Sequence, residues 1–212
     1  MQDTTASHPD NSNRERILAA AIEAFGTCGY DGASTNQICA AAGLSKGLLF
    51  HYFKSKENLY MAVVKRCLQD FADEFREHQL EDERDLQALA KFYRLQADFF
   101  SEHPDYYYIL TQIPVNQSEP MKEFMEKCRE EFVNAVSLGL RLYLGRVKVR
   151  PGVDREVALE LLIATVFRLE EHYIVAANHR EIPLEELSRQ MEQRFLAEVN
   201  IISYGILSSR PE

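Results

Sequence analysis

Residues 35–58, TNQICAAAGLSKGLLFHYFKSKEN, hold two short helix-forming segments on either side of a glycine. Thr35 is placed to cap the first, and residues 36–42 are small or apolar at helical spacing. Gly43 ends that helix, Leu44 turns inward, and Ser45 caps a second helix reaching about Phe53. Two short helices joined by a tight turn containing Gly make a helix-turn-helix, whose second helix fits a DNA major groove. Ile38, Ala42, Leu44, Leu49 and Phe53 can share one small core. Lys46, Gly47, Leu48, Phe50, His51 and Tyr52 are then left on the other faces. A basic end beside Gly and exposed aromatics suits a DNA surface better than a purely structural helix.

At these residues the chain resembles the TetR-type transcriptional regulators. Residues 16–59 follow the order of that family: an amphipathic first helix (ILAAAIEAFGTCGYDGAS), the turn TNQICAAAGLSKG, then LLFHYFKSKENLY. The resemblance implies an all-α protein with an N-terminal three-helix helix-turn-helix DNA-binding domain. It also implies a C-terminal helical domain for ligand binding and dimerisation. Beyond the head, the chain is similar to the family in length and helical pattern only.

The resemblance assigns roles in the head residue by residue. Thr35 looks like the backbone-phosphate contact of the family, its hydroxyl and a helix N-terminus both favouring an anion. Lys46, Gly47, Leu48 and His51 take the positions that face base edges; Lys46 can donate to guanine and Leu48 can meet a thymine methyl. Phe50 stands where the family commonly has a phosphate-binding Tyr, and it lacks the hydroxyl; its ring packs either on sugar or in the core. Tyr52 keeps a hydroxyl for phosphate, and Lys56 heads the fourth helix as a last phosphate ligand. Asn36 is either a phosphate contact or an ordinary first-turn residue.

A net charge of −9 sits uneasily with DNA binding, for which a basic domain is expected. Of 24 Lys and Arg and 33 Asp and Glu, five of each fall in residues 1–56, which leaves 19 against 28 in the remainder. The acidity therefore belongs to the C-terminal part, while Lys46, Lys54 and Lys56 crowd the recognition end. The polar stretch MQDTTASHPDNSNRER has no apolar core and is not a secretory signal. No apolar run approaches the ~20 residues of a membrane span. Cys28, Cys39, Cys67 and Cys128 are scattered without a CxxC pair, which fits reduced thiols in a cytoplasmic protein. Cys28 and Cys39 flank the head, either as oxidant sensors or as small buried apolar residues.

Along the chain we expect a disordered tail at 1–12, the DNA-binding domain at 13–58 and an effector-binding and dimerisation domain at 59–212. Helix one spans about 13–28, carrying Ile17, Leu18, Ala21, Ile22 and Phe25 on one face; Gly29 stops it and Tyr30-Asp31-Gly32 turns. A helix from 56 to about 80, capped by Ser55, links head and body. A charged turn at 81–85 precedes helices at about 86–102, 105–113 and 120–144. Residues 147–149 are admissible as extended backbone. Of the last two helices, 154–178 is apolar on two sides: Val157, Leu161, Ala164, Phe167 and Ile174 on one, Ala158, Leu162, Val166 and Leu169 on the other. The other, 184–207, carries the stripe Leu184, Leu187, Met191, Phe195, Val199, Ile202 and Ile206. A helix apolar around most of its girth must be covered on two sides. The resemblance implies that these two helices pair with a second copy, so the operator is a near-palindrome.

In the body, aromatics at 92–100, 106–108 and 124–132 can line an apolar cavity for a small hydrophobic effector. Candidate lining residues are Phe92, Arg94, Phe99, Tyr107, Gln112, Phe132, Thr165, Arg168 and His172; ordinary core packing is the competing account of each. Glu170-Glu171-His172 lacks the Glu-x-x-His spacing of helical metal sites. There is no Gly-rich phosphate loop, nucleophile elbow or HExxH, so no catalytic residue, metal or cofactor is expected. The expected function is a ligand-responsive, sequence-specific DNA-binding repressor with no enzymatic activity. The alternative is a TetR-like DNA-binding factor governed by a protein partner.

Overall fold

The computed structural model describes residues 9–77, 86–112, 114, 117–178 and 183–206. Among the described residues the regular structure is helical, apart from an isolated bridge at Val149. The elements in order are α1 (Pro9–Gly32), α2 (Thr35–Ala42), α3 (Lys46–Phe53), α4 (Lys56–Glu77), α5 (Leu86–Glu102), α6 (Pro104–Thr111), α7 (Glu119–Arg146), α8 (Arg155–Asn178) and α9 (Leu184–Ile206). The all-α expectation holds. Of the tail expected at 1–12, residues 1–8 lie outside the described residues, and α1 already begins at Pro9, an imino acid suited to a first helical turn. The turn expected at 81–85 also lies outside them.

Gly29 does interrupt the first helix, with φ 68 and ψ 175, but the chain resumes a helical turn instead of leaving it. The Ala33 amide donates to the Gly29 carbonyl at 3.2 Å, so Tyr30-Asp31-Gly32 is not the open turn expected. Contacts divide the chain into two units, Met1–Asp70 with His103–Lys122, and Phe71–Glu102 with Glu123–Glu212. The expected boundary at 58/59 falls inside α4, where no break in the helix exists.

In the first unit α1 packs on α2, α3 and α6. Its buried face is Ile17, Leu18, Ala21 and Phe25, with Ile22 half-buried. From α4 come Leu59, Tyr60, Val63, Val64 and Cys67, all buried. Burial pushes the Cys67 thiol up to about 12, which keeps it protonated. The Tyr60 hydroxyl donates to the carbonyls of Ile109 and Gln112 at 3.2 and 3.3 Å, satisfying the end of α6. α6 approaches α1 so closely that a Cβ on Gly26 would lie 2.4–2.7 Å from Oδ1, Cγ and Cβ of Asp105.

In the second unit α9 is the centre, packed by α5 and α8. Its residues Leu187, Met191, Phe195 and Val199 recur every fourth position and are all buried. Phe71, Phe99 and Phe100 cluster with ring centroids 5.2–5.5 Å apart. α8 shows the two-sidedness read from its sequence. Ala158, Leu159, Leu162, Val166 and Leu169 are buried, while Val157 and Leu161 remain 61% and 49% exposed. Asp154 Oδ1 accepts from the amides of Glu156 and Val157, at 2.8 and 3.3 Å, and caps this helix.

Gly26→Ala should destabilise the protein by about 1–3 kcal/mol, because its new methyl overlaps the Asp105 side chain. Chemical denaturation measures this, and adding Asp105→Gly should recover part of the loss.

Candidate nucleic-acid interface

The helix-turn-helix is built from two eight-residue helices whose inward residues are Ile38, Cys39, Ala42, Leu49 and Phe53, all buried. Leu44, expected inside, is only half-buried. Ser34, not Thr35, occupies the N-cap of α2: its backbone is extended (φ −110, ψ 127) and its carbonyl accepts from Ile38 N at 3.0 Å. No side-chain bond completes that cap, and Thr35 is the first helical residue. Ser45 caps α3 as expected, its Oγ accepting from Leu48 N at 3.2 Å.

Gly43 stands at φ 63 and ψ 36, a left-handed conformation, and its amide and that of Leu44 close α2 onto the carbonyls of Ala40 and Cys39. Arg16 completes the turn. Its Nη2 donates to the Ala42 carbonyl at 2.6 Å, putting a cation on the negative end of α2. Nothing in the local sequence announces this bond, because 26 residues separate its partners. Arg14 also lies over the Phe53 ring, 5.3 Å from its centroid.

Burial of Leu49 and Phe53 orients the rest of α3 outward. Lys46, Gly47 and His51 are exposed, while Leu48, Phe50 and Tyr52 are half-buried. The Lys46 ammonium lies 5.9 Å from the Phe50 ring centroid, so this ring sits beside a cation instead of filling the core. His51 and Tyr52 meet edge to face at 5.4 Å. Thr35 is half-buried and Asn36 exposed. Lys56 turns toward the end of α1: its Nζ is 4.7 Å from the Tyr30 ring centroid and 3.4 Å from the Asp31 carbonyl. Lys54, absent from the sequence-derived contacts, adopts φ 66 at the end of α3 and donates from Nζ to the His51 carbonyl at 2.9 Å. Cys39 is buried, which raises its thiol pKa against the opposing pull of Lys46; Cys28 is exposed.

The candidate effector residues fall in different places. Tyr107 and Gln112 belong to the first unit, the other seven to the second. Phe99 is buried in the aromatic cluster, and Phe132 meets Phe167 edge to face at 6.2 Å. Thr165 is buried with its hydroxyl bonded to the Leu161 carbonyl at 2.9 Å. Arg94 and Arg168 are exposed and ion-paired, to Glu192 and Glu198. The side chains of Phe92 and His172 lie outside the described residues. Among the described residues no group of His, Cys, Asp and Glu could hold a metal, and no helix is long and apolar enough to cross a membrane.

Residues 17–63 match the model of the bacterial regulatory proteins of the tetR family. The HTH-type transcriptional regulator RutR of Escherichia coli is 33% identical over 94 residues, 44% of either chain. The HTH-type transcriptional repressor AcnR of Corynebacterium glutamicum is 38% identical over 65 residues, 31% of this chain and 34% of that one. The chain thus spans less than half the length of these curated relatives. The fold extends further: the transcriptional regulator FadR of Bacillus subtilis, solved in complex with stearoyl-CoA, superimposes with a TM-score of 0.62 over 86% of this chain and 97% of that one, at 16% identity.

Gly43→Ala should cost about 1–2 kcal/mol in thermal or chemical unfolding, since a Cβ there adopts a left-handed backbone and lies 2.9 Å from Arg16 Nη2.

Proposed function

We propose that this chain, which belongs to the tetR family of bacterial regulatory proteins, is a sequence-specific DNA-binding transcriptional repressor released from a near-palindromic operator by a small hydrophobic effector. The observation that carries the reading is the outer face of α3. There Lys46, Gly47 and His51 are exposed around a helix fixed from behind by Leu49 and Phe53. Such a face can enter a major groove and present Lys46 and His51 to base edges, with Leu48 for a thymine methyl. Thr35, Asn36, Tyr52 and Lys56 supply phosphate contacts, which hold register and add salt-sensitive affinity. Phe50 acts as a platform for the Lys46 ammonium, an assignment supported by their 5.9 Å separation.

The protein acts in the cytoplasm as a homodimer through α8 and α9. Val157, Leu161 and Ile201 support this reading, because they leave a large apolar surface in water (61%, 49% and 73% exposed) on those two helices. A two-fold pair presents two α3 helices, hence a near-palindromic site. The effector binds within the second unit and weakens operator binding through α4, whose chain runs on from the head. An acyl ligand in the similarly folded FadR and the repressor AcnR among the relatives support this part. Leu138 and Leu142 on α7, 58% and 52% exposed, favour a second reading, in which a protein partner governs the DNA-binding factor.

Fluorescence anisotropy on the upstream DNA of its own gene, against a scrambled duplex, tests the proposal. A preference of ~10³-fold or more is expected. Lys46→Ala and His51→Ala should each erode that preference about fivefold or more, and Lys56→Ala less, because Lys56 is held over Tyr30. Equal and steeply salt-dependent binding to both duplexes would overturn site-specific recognition.

A further inference from the structure

The first unit contains a polar chain that no base or phosphate contact requires. Arg66 Nη1 on α4 donates to Glu15 Oε2 on α1 at 2.6 Å, while its Nε donates to both oxygens of Asp70, at 2.8 and 2.9 Å. The Tyr106 hydroxyl on α6 donates to Asp70 Oδ2 at 2.8 Å. One turn of α4 thereby ties α1 on one side and α6 on the other. Arg66 is suited to this because its planar fork serves two carboxylates at once, which a Lys ammonium on a flexible stem does not. The Tyr106 phenol is held protonated, and so a donor, by burial and by the adjacent Asp70 carboxylate.

We propose that Tyr106 and Asp70 are positioning residues for DNA binding, forming with Arg66 and Glu15 a clamp that fixes α4 along its axis against α1 and α6. This inference rests on the DNA-binding reading above. The bonds are directional, and sliding or turning α4 by a few tenths of a turn would break the two that cross to other helices, Arg66 to Glu15 and Tyr106 to Asp70, together. Asp70 is also the last residue of α4 that belongs to the first unit, so any displacement arriving along α4 meets the clamp before it reaches α2 and α3. Three further contacts hold α6 and the segment after it to the same unit: Tyr60 to the end of α6, Gly26 to Asp105, and Ser118 to Glu57. The clamp is the one among these built on ion pairs, Arg66 with Glu15 and with Asp70.

Tyr106→Phe removes a single hydroxyl and tests the inference in the full-length protein. A duplex preferred by the unsubstituted protein serves as the probe, with Arg76→Gln, which breaks the exposed pair with Asp73, as control. We expect Tyr106→Phe and Asp70→Asn to lower affinity for that duplex about threefold to tenfold. Amide hydrogen exchange in α6 and in the first turns of α1 should accelerate, the melting temperature should change little, and Arg76→Gln should leave all three untouched. The double variant should lose no more than Asp70→Asn alone, because Tyr106 acts through its bond to Asp70. Unchanged or raised affinity in Tyr106→Phe, beside a preserved duplex preference, overturns the clamp alone. A loss fully accounted for by a lowered melting temperature also overturns it, since that is ordinary stability. No preference in the unsubstituted protein would overturn the DNA-binding reading, and this inference with it.

Discussion

A helix of eight residues makes too few internal hydrogen bonds to persist alone in water, and both α2 and α3 have that length. Their existence depends on packing against α1, whose own apolar face they cover. Leu49 and Phe53 are the residues through which α3 joins that core; with 0% and 4% of their surface exposed, they leave it essentially one rotational setting. The direction of every outward side chain on α3 follows from that setting. The outward face of α3 is thus a by-product of where the small core lies, and its precision is that of close packing.

Around this core the polar groups act mostly as fasteners. Arg16 holds the carbonyl end of α2, Ser45 the amide end of α3, and Ser55 the start of α4, where its Oγ accepts from Asn58 N at 3.0 Å. Tyr60 reaches across to α6. Each satisfies a backbone group that a helix end would otherwise leave to solvent. Lys54 shows the same logic at some conformational cost: it adopts a left-handed backbone to join α3 to α4, and its side chain returns to the last turn of α3.

The parts of this architecture that could be read from the sequence are those governed by local spacing. The helices, the glycine at the turn, the Ser45 and Ser55 caps and the two apolar sides of α8 all follow from residues within one or two turns of each other. The start of α2 is set one residue before Thr35, at Ser34, a choice that local sequence leaves open because Ser and Thr are both good caps in isolation. Long-range bonds left no local trace. Arg16 and Ala42, Arg66 and Glu15, and Tyr106 and Asp70 lie 26, 51 and 36 residues apart. For the same reason α6 could not be assigned to the head, and Tyr107 was grouped by composition with aromatics that belong to the other unit. Arg94 and Arg168, candidate effector contacts by residue type, are exposed and ion-paired to carboxylates on α9.

The first unit is discontinuous in the chain: after Asp70 it resumes only at His103. Residues 17–63, the part that matches the family model, therefore end well before the structural unit does. A fragment cut after α4 would bare the Gly26 notch, strip the Tyr60 hydroxyl of its acceptors and take the Tyr106 donor from Asp70, leaving buried surface open to water. Transplanting this head onto another protein would accordingly require residues 103–122 to travel with it. In a chimaera the natural graft points are three, at 70/71, 102/103 and 122/123, where a linker spliced in place of the intervening helices must restore the span they now bridge.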